Sequence, residues 1–165
     1  MGMIACYMEV DLSTLERLKA LESEELFEEI EELEEDMNVT DLDKMWDGLH
    51  CLLTKESAGD PINGNALSEA IVGVTKFDDD SDDFITYIEP ERVQEIAKTL
   101  NELDITSLSL TFNPEYFAEK DVYPNIWMRD DKDELAEELN FAFEELKQFY
   151  NGASERNNAV VVSIY

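Results

Sequence analysis

Apolar residues follow two different periods along this chain, one typical of strands and the other typical of helices. Branched and aromatic residues concentrate at positions 4–10, 84–88 and 159–165, which predicts three strands. Two of these strands lie at the ends of the chain with helical patterns between them, so we expect both ends to meet in one sheet. The pattern predicts an α+β fold: a single domain over residues 1–165, with a small mixed sheet packed by several helices and a long C-terminal helix.

Apolar residues spaced three and four positions apart predict the helices between the strands. The longest helix is expected to begin at Asp130 or Asp131 and to reach about Ser154. Its buried stripe is predicted to contain Leu135, Leu139, Ala142, Phe143, Leu146 and Phe149. Ser13, followed by Glu16 three residues later, has the pattern of a capping box and predicts the start of the first helix.

The charge of the chain determines what its surface can bind. Its 165 residues include 41 Asp and Glu against 12 Lys and Arg, which gives a formal net charge of −29, and 44% of the residues are hydrophobic. That apolar content is enough for a buried core, so we expect a folded protein with a very acidic surface. Such a field repels phosphate backbones, which argues against direct nucleic-acid binding.

Nine glutamates between positions 22 and 35 surround a helical stripe of apolar residues. On a helix they place one carboxylate about every 2 Å, close to the spacing of about 1.7 Å per charge in duplex DNA. Two interpretations stay open. The run is either a solvated helix face or part of an acidic inhibitor or immunity-type protein that mimics nucleic acid and captures a basic partner protein.

Features of export and membrane insertion are missing from the sequence. The N-terminus lacks a basic segment followed by a long apolar one, so we expect no secretory signal. No apolar run approaches the roughly 20 residues of a membrane span. Cys6 and Cys51 are far apart in sequence and are predicted to be reduced, small core residues. We therefore expect a cytoplasmic protein without a membrane partner.

The single histidine of the chain lies on a predicted helix that Asp41 is expected to cap and that ends at about Thr54. At about 100° per residue, one polar side of this helix carries Asp43, Asp47, His50 and Thr54. Asp47 precedes His50 by three residues, so its carboxylate can orient the imidazole.

This polar side predicts a binding surface, together with the loop that follows the helix. A second hypothesis is a small hydrolase or metal-dependent enzyme in which His50, Asp43 and Asp47 are catalytic. A lone histidine without a second histidine or a nucleophile is more typical of structural hydrogen bonds than of catalysis. Binding is the favoured function, and whether the chain is an enzyme stays open.

An acidic segment before the second strand offers candidate metal ligands. Positions 1, 3, 5 and 12 of a calcium loop correspond to Asp78, Asp80, Asp82 and Glu89. Asp83 stands where that loop requires glycine. The segment predicts an acidic turn with at most weak divalent-ion binding, and no resident cofactor is predicted.

Motifs along the whole chain carry a resemblance to a known family. They are Met1-Gly2-Met3 opening a strand, Asp43-Lys44, Trp46-Asp47, Leu49-His50, Leu53-Thr54, the run from Leu67 to Gly73, Tyr123-Pro124, Trp127, and the closing helix and strand. In this combination they resemble the YfbM-like family, a group of small bacterial proteins with a domain of unknown function. The resemblance implies a compact α+β fold and a soluble bacterial protein, and it brings no established reaction, cofactor or catalytic residue.

Overall fold

Five strands form one sheet, and its central strands come from the two ends of the chain. The computed structural model describes residues 2–165, so the predicted role of Met1 in opening a strand lies outside the described residues. In spatial order the strands are β2 (Val39–Asp41), β1 (Ala5–Val10), β5 (Ala159–Ile164), β4 (Phe84–Ile88) and β3 (Thr75–Lys76). The three predicted strands are confirmed. The two additional strands form the edges.

Eight α-helices lie between the strands of the described chain. They are α1 (Leu12–Lys19), α2 (Ser23–Glu34), α3 (Trp46–Thr54), α4 (Ala66–Val72), α5 (Pro90–Asn101), α6 (Ile105–Ser109), α7 (Pro114–Glu119) and α8 (Lys132–Glu155). The predicted long C-terminal helix is α8. None of the helices within residues 2–165 is both long enough and apolar enough to cross a bilayer.

All four strand pairings are antiparallel, which differs from the mixed sheet that the sequence predicts. Parallel neighbours are usually joined by one crossover helix. Here two helices connect β1 to β2, and four helices connect β4 to β5. Several helices in one connection allow the chain to re-enter the sheet in the opposite direction.

Capping side chains fix where the helices begin. At the start of α8, Oδ1 of Asp131 accepts hydrogen bonds from the backbone N–H groups of residues 133 and 134, at 2.9 and 3.1 Å. At the start of α1, Oδ1 of Asp11 accepts a hydrogen bond from Thr14 N at 2.7 Å, so Ser13 lies inside the helix and does not cap it. Asp41 belongs to β2, and a 3₁₀ turn (Asp43–Met45) separates it from α3.

The two faces of the sheet cover two separate apolar cores. The larger core lies against α3, α4, α5 and α8 and contains Tyr7, Leu49, Trp127, Phe143 and Val162. The smaller core lies against α1 and α2 and contains Met8, Leu15, Leu26, Ile30 and Val161. The glutamate-rich helix α2 therefore uses its apolar stripe to cover the sheet, and most of its carboxylates face outward.

Both cysteines are buried and have free thiols, as predicted for small core residues. Cys6 lies on β1 and Cys51 on α3. Burial raises the pKa of the Cys51 thiol to about 11. The thiol is therefore protonated at neutral pH and is not a nucleophile.

A buried carboxylate on β1 connects three parts of the sheet region. The side chain of Glu9 accepts hydrogen bonds from Nε and Nη2 of Arg156, both at 2.7 Å. It also accepts from Asn158 Nδ2 at 2.7 Å and from Asn38 Nδ2 at 3.1 Å. The Arg156 guanidinium, helped by the two amides, lowers the pKa of Glu9 from 4.5 to about 2. Glu9 thus joins β1 to the segments that lead into β2 and β5.

Candidate functional site

His50 lies on α3 and is fully buried, with 0% of its surface exposed. Its Nδ1 is 2.7 Å from the carbonyl oxygen of Glu56, and its Nε2 is 2.8 Å from Oγ of Ser68. A carbonyl only accepts, so Nδ1 carries the proton and donates it, and Nε2 accepts from the Ser68 hydroxyl. Burial lowers the pKa of His50, which favours this neutral form.

Ser68 lies in α4 and connects His50 to the α3–α4 loop (residues 55–65). Its Oγ also accepts a hydrogen bond from Ile62 N at 2.9 Å. A serine hydroxyl beside a histidine base has the geometry of a catalytic nucleophile. Ser68, however, has 0% exposed surface, and both its proton and its oxygen are engaged. The arrangement supports an anchoring role, in which His50 and Ser68 hold the loop against the two helices.

Asp47 is a second buried anchor on α3, with only 4% of its surface exposed. Its carboxylate accepts hydrogen bonds from Ala58 N at 2.6 Å, from Ser57 Oγ at 3.1 Å and from Tyr123 N at 2.8 Å. Within the described chain no hydrogen bond joins Asp47 to His50. Asp47 therefore ties α3 to the α3–α4 loop and to the segment before α8.

Thr54 and Gly48 complete the packing of α3. The hydroxyl of Thr54 is half-buried and donates to the backbone carbonyl of His50 at 2.8 Å. Gly48 allows Trp127 to approach the helix, because a Cβ at position 48 would lie 2.4 Å from Cη2 of that indole. Most of α3 is thus enclosed by other elements and offers little surface for a partner.

Asp43 lies apart from the other three predicted site residues. It sits in the 3₁₀ turn before α3, with φ of 48°, a left-handed conformation that Asp tolerates better than most residues. Its side chain is exposed and lines a groove of about 680 Å³ between this turn and α8. Of the predicted set, only Asp43 therefore faces an open surface.

This groove, which we term the α8 groove, has an apolar floor and an acidic rim. Its lining is Asp41, Leu42, Asp43 and Met45 on one side, and Glu134, Glu137, Glu138, Phe141, Ala142 and Glu145 on α8. Leu42, Met45 and Ala142 are buried, whereas Phe141 is 68% exposed. None of the six carboxylates forms an ion pair with a basic residue in the described part of the chain.

Phe141 could have been noticed in the sequence as a large aromatic residue outside the apolar stripe of the predicted long helix. The predicted inward stripe of α8 is confirmed, since all six of its residues are buried. Phe141 falls outside this stripe and between glutamates, yet it is a large aromatic residue. The outward ring of Phe141 offers the groove an apolar contact, because aromatic side chains contribute most when their area is buried.

A second cleft, of about 430 Å³, lies between α4 and the edge of the sheet formed by β3 and β4. Its lining includes Ser68, Glu69 and Thr86, which are buried polar residues. Glu69 pairs with Arg92 on α5, and Thr86 Oγ1 donates to the carbonyl of Val72 at 2.8 Å. These polar groups have partners within the protein, so they stabilise the fold around the cleft.

The acidic residues proposed as calcium ligands do not converge. Asp78 accepts hydrogen bonds from the Ser23 hydroxyl and, at 2.9 Å, from Asp80 N. Glu89 follows the five-residue strand β4, so the length of that strand, about 17 Å, separates it from the acidic turn. Glu89 instead pairs with Lys19 at 2.6 Å. Within residues 2–165, no three His, Cys, Asp or Glu side chains are grouped so that they could hold a metal ion.

Comparisons with known proteins agree on one family. A family model described as a domain of unknown function, DUF1877, matches residues 1–163. Protein YfbM of Escherichia coli strain K12 is 29% identical over 126 residues, which cover 76% of this chain and 75% of that protein. The crystal structure of YfbM from Escherichia coli, itself a protein of unknown function, matches with a TM-score of 0.79 at 24% identity. This match covers 98% of this chain and 99% of that one, and it concerns the fold alone.

Proposed function

Because the chain belongs to the DUF1877 family, a domain of unknown function, its role must be argued from its own surface, and we propose that it binds a basic protein partner through the α8 groove. Binding is favoured over catalysis, since the polar atoms around His50 are already engaged with one another. In this proposal Asp43 belongs to the binding surface. Asp47, His50 and Thr54 serve as anchors behind it.

The observation that carries the proposal is the exposed ring of Phe141 inside an acidic rim. Phe141 is 68% exposed on a helix whose other large apolar residues are buried. Aromatic side chains in the centre of an interface contribute more to binding than their neighbours do. A partner that covers Phe141 would bury apolar area that water otherwise contacts, whereas the floor residues are already buried and mainly shape the groove.

The charge of the rim determines which partner fits. Six carboxylates surround the groove, and its lining contains no Lys or Arg. The neighbouring Lys44 forms no ion pair with these carboxylates in residues 2–165, and its side chain lies near Gly2. Carboxylates concentrated on one surface attract cationic proteins from a distance and raise the association rate at low salt. A basic protein also relieves the mutual repulsion of these carboxylates.

Helix α2 is the competing surface for a nucleic-acid mimic, because Glu28, Glu31, Glu32 and Glu35 lie together on it. The lining of this surface contains only glutamates. The exposed ring of Tyr165 packs beside it against Phe27 of α2, so that ring is already partly covered by the protein itself. The glutamate surface lies on the other face of the sheet from the α8 groove. It can therefore serve as a control with matching charge.

The test measures binding of a fluorescent helical peptide made of Leu and Lys, of about three turns, by anisotropy at about 50 mM and about 300 mM NaCl. The groove variant is Glu137→Gln with Glu138→Gln, and the control is Glu28→Gln with Glu32→Gln on α2. We expect the groove variant to lose about threefold to tenfold in affinity, and the control much less. Equal losses would mean that bulk charge alone attracts the peptide, and affinity that does not fall with salt would overturn the proposal.

A further inference from the structure

Phe141 lies between carboxylates one helical turn away on each side. Glu137 precedes it by four residues and Glu145 follows it by four, so each lies about 6 Å from it along the axis of α8. Residues four apart share a helix face, so these carboxylates and the ring point into the same space. The helical wall of the groove therefore alternates negative, apolar and negative.

The opposite wall repeats the pattern over a shorter distance. Asp41 and Asp43 supply carboxylates there, and Leu42 and Met45 supply the floor between them and α8. From Glu134 to Glu145 the groove follows α8 for eleven residues, or about 16 Å. That length matches about three turns of a second helix.

The backbone chemistry of the groove favours a helical occupant over an extended one. An extended peptide needs hydrogen-bond donors for its carbonyl groups, whereas the rim side chains are carboxylates, which only accept. The backbone of α8 is occupied by its own hydrogen bonds, and Asp43 N already donates to the Asp41 carboxylate. Strand β2, with three residues, is too short to align an extended peptide. A helix satisfies its own backbone and presents only side chains.

We propose that the partner of the α8 groove is an amphipathic helix that sets one large apolar side chain against Phe141 and places Lys or Arg one turn before and one turn after it. The inference rests on the proposed function and specifies its partner. The apolar anchor covers the Phe141 ring and the floor of the groove. The basic residues meet Glu137 and Glu145 along α8, and their neighbours reach Asp43 across the groove.

Four synthetic peptides test this inference with the 165-residue chain. The first carries a Leu anchor with Lys four positions before and after it. The second has the same composition with each Lys two positions from the anchor, which turns the charges to the far side of a helix. The third replaces the anchor Leu by Ala, and the fourth is the first with a central Pro that prevents helix formation.

We expect the first peptide to bind about tenfold more tightly than each of the other three. Phe141→Ala should weaken the first peptide about tenfold and leave the third nearly unchanged. The control variant is Leu110→Ala, which removes another exposed apolar side chain, 85% exposed and outside the groove, and should leave all affinities unchanged. Circular dichroism and thermal unfolding verify that both variants are folded.

Two kinds of failure can be distinguished. Suppose that all four peptides bind equally well and that Glu137→Gln with Glu138→Gln still weakens them. The groove then binds basic segments, but the proposed helical spacing of the anchor and its Lys residues is wrong. If that double variant and the α2 control behave alike, the proposed function fails as well. If only the proline peptide binds as tightly as the first peptide, the partner segment is extended and not helical, which overturns the inference.

Discussion

Replacing Glu9 by Gln should destabilise the fold at neutral pH by an amount that the environment of this carboxylate determines. Glu9→Gln keeps the size of the side chain and removes the charge that the guanidinium of Arg156 contacts through two hydrogen bonds of 2.7 Å. The Gln amide also turns one acceptor into a donor, which faces the donating amides of Asn158 and Asn38. The variant therefore loses both the ion pair and part of the hydrogen-bond network.

The size of the effect follows from the pKa of Glu9, which is about 2 in the folded protein against an ordinary value of 4.5. With about 1.4 kcal/mol for each pKa unit, this difference corresponds to about 3 kcal/mol of folding free energy. Because the Arg156 side chain is 54% exposed, solvent screens the pair, and we expect a loss of about 2 kcal/mol. A lowered carboxyl pKa stabilises the fold above 4.5, and this stabilisation is lost as the pH falls towards 2.

The assay is urea unfolding of the wild type and Glu9→Gln at about pH 7, about pH 5 and about pH 3, at constant ionic strength. The difference in unfolding free energy should be largest at pH 7, nearly as large at pH 5, and about half as large or less at pH 3. Glu28→Gln on the exposed face of α2 is the matched control and should show little difference at any pH. A Glu9→Gln effect that is absent at pH 7, or that stays constant down to pH 3, would refute this account of the site.

Two further predictions concern α3. His50→Asn should lower the free energy of unfolding by about 2 kcal/mol at pH 7, because Ser68 loses its acceptor, while affinity for the helical peptide stays unchanged. Since burial lowers the pKa of His50 from 6.5, the wild type should lose stability as the pH falls below 6.5 and the variant should lose less; parallel pH profiles in urea unfolding would contradict this. Gly48→Ala should lower the melting temperature, because the new Cβ would lie 2.4 Å from Trp127 and overpacking costs about 1–3 kcal/mol, more than the roughly 1 kcal/mol that Ala gains in a helix. A higher melting temperature in differential scanning calorimetry would show that the helix and the indole are less closely packed.

The sequence predicts the long elements well, because each shows its period several times. Examples are the strands predicted at positions 4–10 and 159–165 and the long helix that Asp131 caps. The edge strands β2 and β3, with three and two residues, are too short to show an alternation. The first helix begins two residues earlier than its capping box indicates, because Asp11 caps it instead of Ser13.

The candidate site shows what periodicity leaves out. The helical period places Asp47, His50 and Thr54 on one polar side of α3, but it does not tell what covers that side. In the fold, the α3–α4 loop returns over it, and backbone groups of Glu56 and Ala58 take up the polar side chains. Such a contact depends on the path of a loop, which no local pattern encodes.

The central position of β5 sets an order for the folding of this chain. Ile164 at the end of β5 pairs with Ala5 at the start of β1, and β5 also pairs with β4 along its other side. During synthesis, residues 159–164 leave the ribosome after every other strand, so β1 and β4 remain without the strand that joins them. Until then the two halves of the sheet expose unpaired edges, so closure of the sheet waits for β5 and is expected to be slow, because it joins segments far apart in sequence.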